Sequence, residues 1–158
     1  MKEQAGFRKA RCCEDQVLKL IQTISDGMQQ KPGKKSVMAL LDFSKAYDRT
    51  WRERLLTKLC EYGAPMQIVQ WIAAFLRTRT AEVMINNTRK RVQMKQGFPQ
   101  GSVLSPLLFL MYINDIGKNI PTDVDHILLA DDASLVTMDT NLETASKKLQ
   151  VEVAAVEA

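Results

Sequence analysis

The sequence predicts an α+β fold, a small and mainly antiparallel sheet with helices packed on one face. Three observations lead there. Runs with helical apolar spacing alternate along the chain with short strand-like runs. Two pairs of strand-like runs are joined by tight polar turns, around Asn86, Asn87 and Thr88 and at Ala130–Asp132, which read as hairpins and therefore as antiparallel pairs. The length, 158 residues with 46% hydrophobic and 25% charged, suits one modest domain able to bury a core.

The elements follow in order. Residues 1–10 compel neither helix nor strand. Over 15–29, Val17, Ile21, Ile24 and Met28 share one helical face, and the Pro- and Gly-containing stretch after Gln29 ends that helix. Residues 36–43 read as a buried strand closing at a carboxylate, Asp42. A helix is expected from about Asp48 to Glu61, with Trp51, Leu55, Leu56 and Leu59 on its apolar side. Gly63 and Ala64 turn the chain, and Pro65 starts a helix over 66–77 carrying Ile68, Val69, Ile72 and Phe75. Residues 80–95 alternate as a hairpin, and 96–102 form a Gly- and Pro-rich loop with Ser102 as a helix cap. The very apolar run 103–116 is too long for a strand, and Pro106 suits a first helical turn, so it reads as a buried helix. Residues 116–123 turn. A strand at 124–129 returns through Ala130–Asp132 into 134–138, and Asp139–Asn141 cap a final helix with Leu142, Ala145, Leu149, Val153 and Val156 on its apolar face.

Composition narrows the chemistry. No run reaches the roughly 20 apolar residues of a membrane span, and the polar start does not read as a signal peptide. Cys12, Cys13 and Cys60 give neither a disulfide framework nor zinc spacing. His126 is the single histidine and lies in a strand-like run, so a histidine base or a Ser-His-Asp triad is not expected. The net charge of +4 divides unevenly: residues 1–100 carry +10 and residues 101–158 carry −6. This reads either as an uneven solvated surface or as a basic tract for phosphates beside an acidic region for cations.

Asp42, Asp131 and Asp132 stand out by context. If the strands at 36–42 and 124–129 are neighbours, all three side chains converge at one sheet edge. Like charges there repel, and divalent cations with hard oxygen ligands would offset them. Two Mg²⁺ ions so held are the arrangement for in-line phosphoryl or nucleotidyl transfer. A polar hairpin turn is the plainer reading of the same residues. The loop at 96–102 reads as an anion cradle or as a turn and cap. Asp115, Asp123 and Asp125 read as solvated surface.

LLDFSKAYD at 40–48, QGFPQGSVLSPLLFLMYINDI at 96–116 and LADD at 129–132 together resemble core motifs of reverse transcriptases. The similarity is greatest to non-LTR (LINE-like) retrotransposon enzymes, with group II intron enzymes more distant. QAGFRKARCCEDQV at 4–17 resembles the segment before the palm strand, and the order and gaps agree over nearly the whole chain. The resemblance implies a polymerase palm-type fold, with 1–35 a partial fingers segment and 36–158 the palm, the thumb absent. It implies two-metal transfer from dNTP to a primer 3′-OH, with Mg²⁺ or Mn²⁺ held by Asp42, Asp131, Asp132 and the Phe43 carbonyl. Tyr47 resembles the steric gate beneath the incoming sugar. Gln100 and Gly101 resemble the pair at the incoming nucleotide, and Gln96, Gly97 and Pro99 the turn leading to it. Arg8 and Arg11 fall in the fingers region. Implied partners are an RNA template with a DNA primer and dNTP, with missing thumb or endonuclease regions or a partner protein. A nuclear or cytoplasmic place follows from the retroelement resemblance. Leu129 departs from the aromatic usual before the aspartate pair, and Cys12 and Cys13 from small polar residues.

Two functions remain open on the sequence: an RNA-directed DNA polymerase fragment, and an inactive or domesticated remnant that binds nucleic acid or protein. Trp51 and Trp71 read as packing residues. Lys34, Lys35, Arg77, Arg79, Arg89, Lys90, Arg91 and Lys95 form a tract for a nucleic-acid backbone or ordinary solvated charges. Truncation is expected to leave the final helix with an exposed apolar face and the chain marginally stable.

Overall fold

The computed structural model describes residues 4–77, 79–116 and 124–157. The chain runs α1 (Cys13–Gln29), β1 (Lys35–Asp42), α2 (Ala46–Arg49), α3 (Arg52–Glu61), α4 (Met66–Leu76), β2 (Arg79–Ile85), β3 (Thr88–Met94), α5 (Leu104–Tyr112), β4 (Val124–Leu129), β5 (Asp132–Asp139) and α6 (Leu142–Glu157). It divides into two compact units, residues 1–44 with 113–158, and residues 45–112.

The first unit is built on a three-stranded sheet of order β1-β5-β4, antiparallel throughout. The expected neighbour of β1 was the strand at 124–129. The hairpin instead lays its second arm against β1, so that β5, whose Leu135, Val136 and Thr137 are buried on both faces, is the central strand. Every second residue of a strand shares a face. Val37, Ala39, Leu41 and Leu135 therefore meet Leu149, Val153 and Val156 of α6. The final helix thus buries the face that the sequence left exposed; Leu142 and Val151 are its large apolar residues left in solvent. Asn141 starts it by accepting the Glu143 amide at 2.9 Å.

Helix α1 makes a lighter contact on the opposite face, where Gly27 admits the Met138 sulfur. Its inward stripe is Gln16, Leu20, Ile24 and Gly27, one position off the apolar stripe in the sequence, so Val17, Ile21 and Met28 are exposed. The strand expected to be buried, β1, is an edge strand with Met38 and Leu40 in solvent.

The second unit is a helical layer with a hairpin. Leu55 and Leu59 of α3 anchor it against α4 and α5, with Val69, Ile72, Leu76, Leu108 and Phe109 buried. The single helix expected from Asp48 to Glu61 is two, broken at Thr50 and Trp51. The buried Thr50 hydroxyl turns back to donate to the Ala46 carbonyl at 2.8 Å. Pro65 is the cap of α4 rather than its first residue. Asn86 and Asn87 both adopt positive φ in the β2–β3 turn, which suits a two-residue hairpin connection. The buried helix expected to Ile116 ends at Tyr112. Of the expected turn at 116–123, residues 117–123 lie outside the described residues. The class is thus α+β, with a small antiparallel sheet whose main helix packing, by α6, is on one face.

Candidate active site

Two clusters of sequence-selected residues form, one in each unit. In the sheet unit, Asp42 closes β1 and Asp132 opens β5, and the two are direct partners in the antiparallel register. Directly opposed residues have Cβ atoms roughly 4.5–5.5 Å apart on one face. Both aspartates are exposed. Asp131 occupies the two-residue turn between β4 and β5, after Ala130 at φ +55°. Among the described residues, no side-chain hydrogen bond or ion pair engages Asp42, Asp131 or Asp132. An open pocket beside the pair is lined by Leu40, Leu41, Ala133 and Ser134. Phe43 follows directly and is half-buried.

The donor chemistry suits a hard divalent cation: opposed, uncompensated carboxylates with room beside them. The convergence of three carboxylates goes only part of the way. Asp42 and Asp132 face each other and Asp131 is adjacent in the turn. Among the described residues, no group of three or more His, Cys, Asp or Glu side chains is arranged to hold a metal.

In the helical unit, the loop 96–101 is tied to the segment 47–52. The Gly97 amide donates to the Thr50 carbonyl at 2.8 Å and the Phe98 amide to the Tyr47 carbonyl at 2.7 Å. Gly97 lies at φ +78°, and a Cβ there would sit 2.5 Å from the Asp48 carbonyl oxygen. Only glycine permits that approach. Arg52 is buried and its guanidinium donates to three carbonyls, those of Met94 at 2.8 Å, Gln96 at 2.9 Å and Gly97 at 2.8 Å. Desolvation, with Arg79 nearby, lowers its pKa from the ordinary arginine value. The exposed Gln100 amide donates to the Asp48 carboxylate at 3.1 Å, and Gly101 follows at φ +80°. Ser105 closes the loop by donating to the Pro99 carbonyl at 2.6 Å.

Tyr47 is packed rather than free-standing. Its ring stacks on Phe109 at 4.9 Å and meets Phe98 edge-on at 6.5 Å. Trp51 and Trp71, expected to pack, are both more than half exposed, because α3 and α4 turn Leu55, Leu59, Val69 and Ile72 inward instead. Trp71 stacks on Phe75 at 6.0 Å. In the basic tract, Arg89 and Arg91 of β3 share Glu82 across the hairpin at 3.3 and 3.1 Å.

Sequence reasoning missed three residues. Arg52 had a readable signal: it lies three and seven positions before Leu55 and Leu59, on their buried stripe. Asp48 was read as a helix-start charge and turns out to hold Gln100. Gln4, fully buried, bonds to both backbone groups of Ala130, and nothing in its neighbourhood announced that.

Comparison with known proteins agrees with the motif reading. A family described as reverse transcriptase (RNA-dependent DNA polymerase) matches residues 1–157. The RNA-directed DNA polymerase from mobile element jockey of Drosophila melanogaster is 31% identical over 156 residues, covering 94% of this chain and 17% of that protein. The probable RNA-directed DNA polymerase from transposon BS of the same organism is 33% identical over 116 residues, covering 72% of this chain and 12% of that protein. The chain therefore spans under a fifth of the length of these relatives. A telomerase from Candida albicans, solved with a fragment of telomeric RNA, shares the fold at a TM-score of 0.54 and 14% identity, over 94% of this chain and 29% of that one.

Proposed function

The chain belongs to the reverse transcriptase family, and on that premise we propose that it is the catalytic palm portion of an RNA-directed DNA polymerase. The observation that carries the proposal is the register match of Asp42 with Asp132, beside Asp131, in a chain of this family. In this reading residues 36–158 are palm and 1–35 belong to the fingers. Asp42, Asp131, Asp132 and the Phe43 carbonyl would hold Mg²⁺ or Mn²⁺. Ions held there would lower the pKa of the primer 3′-OH and offset charge developing on the transferred phosphate.

The chain's own residues do the rest. Gly97, Gln96 and the Arg52 bonds fix the loop that presents Gln100 and Gly101 to an incoming dNTP. Asp48 holds Gln100 until the nucleotide competes for its amide. Tyr47, set by Phe98 and Phe109, limits the space for a ribose 2′-OH. The 3′ oxygen attacks the α-phosphorus, the bond to the bridging oxygen breaks, and pyrophosphate leaves. Lys34, Lys35, Arg77, Arg79, Lys90 and Lys95 offer charge to the RNA template and DNA primer.

Primer extension on an RNA template with Mg²⁺ tests the proposal, comparing the chain with Asp131→Asn. Extension that disappears in the variant is expected. A second reading, a nucleic-acid-binding module without catalysis, is favoured by the absence of a pre-assembled three-acid group among the described residues. It expects salt-sensitive RNA binding and no extension by either protein.

A further inference from the structure

Ala130 and Asp131 form the turn that joins β4 to β5, directly before Asp132, and Ala130 is left-handed at φ +55°. Alanine resists that region because its Cβ crowds the following carbonyl. The support comes from 126 residues away. The Gln4 carboxamide oxygen accepts the Ala130 amide at 2.8 Å and the Gly6 amide at 2.7 Å, while its Nε2 donates to the Ala130 carbonyl at 3.2 Å. Both backbone groups of one residue are thus held by one side chain, itself 0% exposed. The Ala5 amide donates to the Leu128 carbonyl at 2.9 Å, which sets Gln4 beside β4. Gly6 is required by the same approach, since a Cβ there would run into the backbone nitrogen of Ala130.

We infer that Gln4 is a positioning residue for the aspartate pair: it locks the left-handed Ala130 and so fixes where Asp131 and Asp132 present their carboxylates. This rests on the polymerase reading for its catalytic consequence, and on the hydrogen-bond geometry alone for the lock. Asp131 is in the turn and Asp132 is its last residue's neighbour, so a turn free to change shape moves both ligands against Asp42.

The test compares the full chain with Gln4→Ala, Gly6→Ala and the double variant Gln4→Ala/Ala130→Gly. Amide exchange at Ala130 is expected to quicken by roughly tenfold or more in Gln4→Ala, as befits loss of a buried hydrogen bond. In primer extension, kcat is expected to fall about tenfold to a hundredfold with KM for dNTP little changed, because misplaced ligands raise the barrier rather than weaken nucleotide binding. Adding Ala130→Gly restores much of kcat, since glycine takes the left-handed shape unaided. A merely structural glutamine would not be rescued this way. If Gln4→Ala fails to fold, Gln4→Met serves: it keeps the side-chain length, loses all three hydrogen bonds, and is expected to quicken Ala130 exchange in the same direction. Unchanged Ala130 exchange, or quickened exchange with unchanged kcat, overturns the inference. A wild-type chain that extends no primer speaks against the polymerase reading alone, and Ala130 exchange then decides the lock.

Discussion

The carboxylate end of the sheet and the loop at 96–101 are held in opposite ways. At the sheet, the charged groups are exposed and unengaged among the described residues, and a neutral glutamine fixes the backbone beside them. In the loop, a buried charge fixes the backbone through three carbonyls, and the polar group offered to solvent, Gln100, is already engaged by Asp48. The difference teaches where order is invested. On the proposed reading, a cation site at the sheet would keep its ligands unpaired and store repulsion until the ion arrives. On the same reading, a loop for an incoming nucleotide would keep its shape without ligand and exchange one hydrogen bond for another.

The contrast can be broken most forcefully at Arg52. Arg52→Ala removes three charge-assisted bonds and leaves carbonyls without them, and is expected to cost about 3 kcal/mol in urea unfolding. Arg52→Lys, without the planar fork, is expected to recover only part. Gly97→Ala comes next. It meets a positive φ and the Asp48 carbonyl together, with an expected loss of about 2 kcal/mol by the same measurement. At the sheet the sign reverses: Asp132→Asn removes like-charge repulsion across the register and is expected to stabilise the metal-free chain by about 0.5 kcal/mol. The same variant is expected to erase any rise in melting temperature caused by Mg²⁺. Destabilisation by Asp132→Asn without metal would show that the pair is not repelling.

The smallest effect lies at Asp139, away from both clusters. Its carboxylate accepts the Asn141 amide at 3.0 Å and the Lys148 ammonium at 3.2 Å, and these bonds lower its pKa from the ordinary aspartate value. A lowered folded pKa means stability present above the unfolded value and lost as pH falls through the folded one. Acid unfolding of Asp139→Asn is therefore expected to show a shallower dependence than wild type below about pH 4.

Most of the fold was legible because periodicity reports which face is apolar. It failed where burial was not set by apolarity. In α1 the inward stripe includes Gln16 and Gly27, the latter against Met138, so the apolar stripe pointed one residue away. The break at Thr50 depends on a side chain returning to the backbone, which composition does not reveal. Of the site, Asp42 was legible as a carboxylate at a strand end and Asp132 as one in a hairpin turn, though Asp132 opens β5 and the strand paired with β1 is β5 and not β4. Gln4 and Arg52 were not legible as clamps because their partners are backbone atoms 126 and up to 45 residues distant. A sequence shows the donor and hides the carbonyl it serves.

On the proposed reading, the opposed pair Asp42 and Asp132 would form a cation site for nucleotidyl transfer. Mn²⁺ binding to the full chain, followed by electron paramagnetic resonance of the free ion, tests it directly. The expected result is saturable binding in wild type that is weakened in both Asp42→Asn and Asp132→Asn and kept in Asp125→Asn. Binding unaffected by either variant, or no binding by wild type, would contradict it.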